Sequence, residues 1–466
     1  MTSRLHRRLT LANSVTGAVM VALDGTLLIV ARPALQRDLH ATFAQAQWTS
    51  TGYLIAVASL LVFAGRLGDR HGHQRVFAVG ILGFGAASAG IAFASGIGWV
   101  IGLRVVQGVF GALLQPATLG MLRAAYPADR LGMPIALRTS AIGLAAAAGP
   151  VVGGALVTAL GWRAVFFLNV VPALVMGVLA LAVRGPARSS AASAGLDVPG
   201  ACLLAVALVS LVHTLVGIPQ TGWTAASTLG LIVVMAAGAA FVRHERRTAN
   251  PLLPSDVVGS ATVHAALGIL VAASAAMLGS LFVASYYLQE VLGLDPLQSS
   301  LRALPVAMMM VLGAPVTAVL LRRQGARRTT LAGTLTQTAG VLLLSRLDET
   351  STTVPIGIGF LLLGAGFAMV MVTATAVLVQ HAPAESAGVT GGLQQTAMNV
   401  GPTLGVAATT LLMARTSGVV MGPPLTALAA VSALGVLLAP RLPGASGSAA
   451  RVRQGAVNKR GADTGS

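Results

Sequence analysis

The chain has 466 residues, 55% of them hydrophobic and only 9% charged, with a formal net charge of +17 and a mean hydropathy of +0.82. That apolar surface exceeds what a water-soluble domain hides, which excludes a soluble enzyme and leaves a polytopic membrane protein. No basic stripe interleaved with aromatics accompanies the charge, so nucleic acid is not an expected partner.

Crossing the hydrocarbon takes about 20 apolar residues per helix. Runs that meet this lie near 10–31, 47–65, 76–95, 97–119, 135–160, 162–183, 199–217, 225–242, 262–287, 299–321, 329–347, 355–379, 392–413 and 422–440, fourteen in all. Lipid supplies no solvent for open backbone, so these runs are helices, and the fold is all-α. With the N-terminus inside, most of the 30 Lys and Arg fall on cytoplasmic segments, as the positive-inside rule requires. Anionic phospholipid headgroups then account for the charge, and an even span count places both termini in the cytoplasm. The run after Arg4, Arg7 and Arg8 is too long for a signal peptide and lacks a cleavage site, so it is a retained helix.

In chain order, the first span carries Asp24, the only acid deep inside any span. An intramembrane carboxylate is costly, roughly 2.5–3.5 kcal/mol on insertion scales, and by default marks function. The segment Gly65-Arg66-Leu67-Gly68-Asp69-Arg70-His71-Gly72-His73-Gln74-Arg75 joins spans two and three as a short cytoplasmic loop. Its glycines permit a tight turn and close helix approach, and Asp69 is suited to the positive N-terminal end of another helix. Arg70 and Arg75 are expected to pair with acids or headgroups, and His71 and His73 to be solvated rather than metal ligands.

Span four carries Arg104. At about 1.5 Å per residue, Asp24 and Arg104 both lie about 10–14 Å below the outer end, so they can meet. A cation beside a carboxyl holds it ionised and dry surroundings favour its protonated form, so helix motion could load and release a proton at Asp24. Span five holds Gly143, Gly149, Pro150, Gly153 and Gly154, where Pro150 permits a kink and the small surfaces permit close packing. Trp162 reads as an interfacial anchor. Gln107, Gln394 and Asn399 are candidate lining residues of a substrate cavity, with Gln115, Gln337 and Gln395 as further polar groups. The one cysteine, Cys202, excludes an intramolecular disulfide.

Self-comparison shows a repeat. Leu35-Gln36-Arg37-Asp38-Leu39 matches Leu288-Gln289-Glu290-Val291-Leu292, and Arg70, Gly72 and Arg75 match Arg323, Gly325 and Arg328, both 253 residues apart. Gly149-Pro150-Val151-Val152-Gly153 matches Gly401-Pro402-Thr403-Leu404-Gly405 at a separation of 252. Spans one to six map onto nine to fourteen, a duplication common in transporters. The expected organisation is a six-helix bundle at 1–190, an inserted helix pair with linkers at 191–254, a second six-helix bundle at 255–440, and a polar disordered tail at 441–466. The position matching Asp24 is Met277, which favours a neutral or weakly anionic substrate over a dication. No phosphate loop, HExxH, cysteine-ligand pair or nucleophile elbow is present, so neither ATP drive, a metal nor enzymatic activity is expected.

The 65–75 segment resembles the signature loop of the major facilitator superfamily. Leu23-Asp24-Gly25-Thr26 resembles the first-helix motif of its fourteen-span drug:proton antiporters, although Ile29 and Arg32 stand where that pattern has Asn and an apolar residue. Leu103-Arg104-Val105-Val106-Gln107-Gly108 is similar to the fourth-helix motif of proton-coupled antiporters, and Gly143 to Gly154 to their fifth-helix antiporter motif. The resemblance implies two bundles plus two inserted helices. It further implies export of a drug-like small molecule against protons with no cofactor, across the cytoplasmic membrane, and the excess of arginine over lysine with abundant Ala and Gly points to a bacterial source. Asp24 and Arg104 would couple the proton, and Gly65, Gly68, Asp69, Arg70, Gly72 and Arg75 would latch the cytoplasmic gate. An importer or a non-transporting sensor is the alternative, and no protein partner is evident.

Overall fold

The computed structural model describes residues 3–127, 130–182, 196–248, 250–254, 257, 259–294, 296–348, 351–381, 386–413 and 421–444. The helices are α1 (Ser3–Asp38), α2 (Phe43–His71), α3 (His73–Ala92), α4 (Ile97–Ala125), α5 (Gly132–Leu160), α6 (Arg163–Phe167), α7 (Val170–Ala182), α8 (Val198–Thr221), α9 (Ala225–Glu245), α10 (Ala261–Tyr286), α11 (Pro296–Leu344), α12 (Thr353–His381), α13 (Ala387–Met413) and α14 (Gly422–Leu438). No strand occurs among the described residues. Local sequence sets several starts. Thr42 and Gln45 form a reciprocal capping box on α2, Asp197 caps α8 ahead of Pro199, and Ser260 accepts from the Val263 amide at α10; each satisfies an otherwise orphaned first-turn donor.

Twelve helices among the described residues are long and apolar enough to cross a membrane. Two features bear on how the expected fourteen spans relate to that count. The 49-residue α11 covers two of the expected runs and is interrupted only by non-helical angles at Gly325. The 27-residue α13 is long enough but is not among the twelve; it carries Gln394, Gln395 and Asn399. The segment 445–466, expected as part of a disordered tail, lies outside the described residues.

The expected 65–75 loop is mostly helix. α2 continues through His71 and α3 resumes at His73, leaving Gly72 (φ 94°) as a one-residue hinge. Backbone hydrogen bonds that continue to Gly72 cost less than an open loop at a membrane surface. Gly325, its repeat counterpart, also has positive φ (80°). The preceding turns match too, with His40 at φ 48° and Gly293 at φ 63°, again 253 residues apart. Gly72→Ala and Gly325→Ala are each expected to cost about 1–3 kcal/mol of backbone strain. Thermal denaturation of the purified variants should show both, and parity with wild type would contradict the hinge geometry.

One large apolar cluster gathers residues between Val257 and Leu442. Two others lie between Met20 and Ala180. Smaller clusters join these bodies: Leu119, Leu122, Leu131 and Ile135 with Ala376 and Val379, and Ala136 with Ala314, Ala318 and Val372. Near the end that carries Gly72, Val62 of α2, Phe241 of α9, Leu252 and Val389 of α13 form another, so the α8–α9 pair packs across the α2–α13 seam.

Candidate functional site

α1 and α4 cross with their polar residues on facing surfaces. Asp24 and Arg104 are each only 1% exposed, and Arg104 Nη1 donates to Asp24 Oδ2 at 2.5 Å. The same Nη1 reaches Gln107 Oε1 at 2.6 Å, while Nε donates to the Thr49 carbonyl at 2.9 Å. Gln107 Nε2 (3.0 Å) and Asn169 Nδ2 (3.1 Å) donate to Asp24 Oδ1. Gln107 Nε2 also reaches Ser88 Oγ at 2.8 Å. The guanidinium stacks 4.3 Å over the Tyr53 ring, a cation–π contact strengthened by exclusion of water. Four helices and the turn between α6 and α7 thus supply one closed network around a single carboxylate and a single cation.

Gln107, expected as a cavity residue, is fully enclosed with its amide used inside this network. Ser88, Thr49 and Tyr53 were not foreseen as members. Ser and Thr are frequent in membrane helices, and the Thr49 contact is through its backbone carbonyl, which carries no sequence signal. Gln394 is also enclosed; its Nε2 meets Thr375 Oγ1 at 3.4 Å, while its Oε1 has no partner among the described residues. Asn399 Nδ2 is likewise buried without one.

The Gly72 hinge leads to a second site. Asp69 Oδ1 accepts from the Gly388 amide at 2.7 Å and Oδ2 from the Val389 amide at 3.0 Å. Both donors lie in the first turn of α13, whose orphaned N–H groups and positive dipole end suit a carboxylate. Gly65 permits this approach, because a Cβ there would strike the Gly388 carbonyl and come within 2.8 Å of the Val389 amide nitrogen. Gly68 leaves room for the His73 ring. His73 is not a solvated loop residue: its Nε2 is 3.3 Å from Asp69 Oδ1 with its side chain 13% exposed, because Gly72 turns α3 directly back onto α2. Among the described residues, His71 bonds only the Leu67 carbonyl (3.3 Å) of its own helix. Arg70 and Arg75 form no ion pair among the described residues.

On α5, Gly143 packs against Met310 of α11, where a Cβ would approach to 2.7 Å. Gly149 abuts the Thr26 hydroxyl and Gly153 abuts Leu27 of α1, whereas a Cβ at Gly154 would meet nothing among the described residues. Pro150 is exposed, and α5 continues through it. The pairing recurs in the later helices, where Gly401 abuts Ser274 and Gly405 the backbone of Ala275. Equating Thr26 with Ser274 places Ala272, rather than Met277, at the level of Asp24, because the first helices of the repeats are shifted by about one turn. Both residues are apolar, so the carboxylate has no counterpart.

Trp162 is a core residue rather than an interfacial anchor. It is 3% exposed, packs in the cluster containing Leu27, Leu35 and Ile91, and donates from Nε1 to Asp38 Oδ2 at 2.9 Å. Asp38 also accepts from Arg163 Nη1 at 2.6 Å. Trp162→Phe, which keeps an aromatic ring but loses the donor and part of the indole volume, is expected to cost about 1–3 kcal/mol; thermal unfolding at matched detergent concentration measures it.

A family model described as the Major Facilitator Superfamily matches residues 15–406. The chain belongs to that superfamily. Among superfamily relatives, the tetracenomycin C resistance and export protein of Streptomyces glaucescens is 42% identical over 410 residues, 88% of this chain and 76% of the relative. The methylenomycin A resistance protein of Streptomyces coelicolor is 33% identical over 414 residues, 86% and 85% of the two chains. The structure of the superfamily's proton:xylose symporter XylE superposes with a TM-score of 0.65 at 15% identity, covering 95% of this chain and 97% of that one. The human organic anion transporter MFSD10 gives 0.64 at 14%, covering 93% and 99%. These two likenesses show the fold alone. This superfamily member is therefore a multi-pass membrane transporter, not an enzyme, with relatives named for antibiotic resistance and export.

Proposed function

We propose that this protein exports a small, drug-like organic molecule across the bacterial cytoplasmic membrane in exchange for protons. The observation that carries the reading is the sealed Asp24–Arg104 pair, a charged network buried in a transporter fold whose relatives are resistance and export proteins. In the conformation described, Arg104 neutralises Asp24. Relative motion of α1 and α4 breaks the contact, Asp24 takes up a proton from outside, and the reverse motion releases it inside. Asn169 and Gln107 hold the carboxylate in place without supplying charge.

In this reading there are fourteen spans, with α6–α7 forming one and α11 forming two about Gly325. Residues 1–190 and 255–440 form the moving bundles, α8 and α9 the inserted pair, and both termini lie in the cytoplasm. The Asp69–α13 contact latches the cytoplasmic end, and the Gly143–Gly154 face of α5 accommodates rocking. Three observations support it: the recurrence of positive-φ turns at the repeat spacing, the segregated cores, and the apolar layers joining the bundles near the Asp69 end. The test is expression in an efflux-deficient bacterium, survival across a chemically diverse antibiotic panel, and reconstitution with the protecting compound. Outward transport driven by external acid is expected, whereas accumulation of the same compound inside cells under that gradient would overturn the export direction.

A further inference from the structure

Arg138 on α5 is the second buried arginine among the described residues, 3% exposed. Unlike Arg104, it forms no ion pair and no hydrogen bond among them, and its Nε has no partner. An enclosed, uncompensated guanidinium is unfavourable, so its position is informative.

Four helices place it. Leu119 and Leu122 of α4, Ile135 of α5, and Ala376 and Val379 of α12 form an apolar plug toward the Asp69 end. Arg138 lies one turn beyond Ile135, away from that end. Gln115 lies one turn from Leu119 in the same direction, buried on α4. Thr375 precedes Ala376 on α12 and meets Gln394 of α13, whose Oε1 is left without a partner. α5 itself is held in the seam between the bundles, with Ser140 Oγ donating to the Val311 carbonyl of α11 at 2.7 Å. By their positions along the helices, the cation that is unpaired among the described residues, Gln115 and the orphaned Gln394 amide oxygen therefore all lie on the side of the apolar plug away from the Asp69 end.

We infer that Arg138 binds an anionic oxygen of the exported substrate, a carboxylate or an ionised phenol, with Gln115 and Gln394 supplying neutral hydrogen bonds beside it. This rests on the exporter reading and adds the substrate class. Opening the Asp69 latch separates the plug and bares Arg138 to the cytoplasm; an incoming anion then supplies the missing counter-charge. Asp24 lies in the separate network around Arg104, so the anion and the proton have different receptors.

Inside-out vesicles carrying full-length wild type, Arg138→Gln or Arg138→Lys are given a fluorescent methoxycoumarin carboxylate or the matching uncharged carboxamide. Wild type is expected to take up the acid in preference to the amide, R138Q to lose about ten- to a hundredfold of that preference, as loss of a hydrogen bond to a charged group implies, and R138K to retain most of it. Monodisperse elution of R138Q shows that it folds; if it does not fold, the R138K ratio carries the test. Equal uptake of acid and amide by wild type, an unchanged ratio in R138Q, or loss of preference in folded R138K would overturn the assignment. Uptake of neither probe by wild type that still confers resistance also overturns it while leaving the exporter reading intact, and absence of any resistance removes that reading as well.

Discussion

Asp24→Asn is expected to reduce drug survival to the level of cells lacking the transporter and to abolish substrate-induced collapse of an imposed pH gradient. The substitution keeps the side-chain shape and an oxygen for Gln107 and Asn169, but removes the group that carries the proton in the proposed exchange. It also strips Arg104 of its counter-charge while leaving the guanidinium 1% exposed. Removing one member of a buried pair costs about 3–5 kcal/mol, because the remaining charge stays desolvated. A large fall in thermal stability should therefore accompany the loss of function. The double substitution Asp24→Asn with Arg104→Gln separates the two effects: it should regain much of the stability, since no lone charge remains, without regaining gradient-driven export. Full coupling in the stable double variant would move the proton to another residue.

Asp69→Asn and Gly65→Val should open the same end of the molecule by different chemistry. In the first, an amide replaces a carboxylate that accepts from both Gly388 and Val389, and its NH2 group must face one of those donors. Hydrogen bonds to a charged group contribute about 1.5–3 kcal/mol each, so losing one shifts the closed–open equilibrium by at least about tenfold. In the second, the added side chain collides with α13 backbone, which is fixed by its own helix and cannot yield as a flexible side chain would. Cys202 is the only native thiol, so Val389→Cys in a Cys202→Ser background gives a single reporter at the seam. Faster maleimide labelling and a matching fall in drug survival are expected from both variants, with a smaller effect from His73→Asn. Unchanged labelling in both would show that the Asp69 contact does not hold this end closed.

The apolar runs and their polar breaks determined the class of protein, because burying backbone in lipid leaves little but helix. Glycine placement determined the repeat: Gly72 and Gly325 were legible as related positions, and both prove to be positive-φ hinges. A carboxylate in an apolar run was legible as a site because its cost demands a reason. The tertiary structure decided what surrounds it. Ser88, Tyr53 and the Thr49 carbonyl join the network through helix crossings between residues far apart in the chain, and a backbone carbonyl has no sequence signature. Packing also moved Trp162 from interface to core, turned His73 onto Asp69, and shifted the counterpart of Asp24 by about one turn. Arg138 shows the division most clearly. In sequence it is one more arginine near a span end, and only the tertiary structure shows it enclosed, 3% exposed, with no ion pair among the described residues.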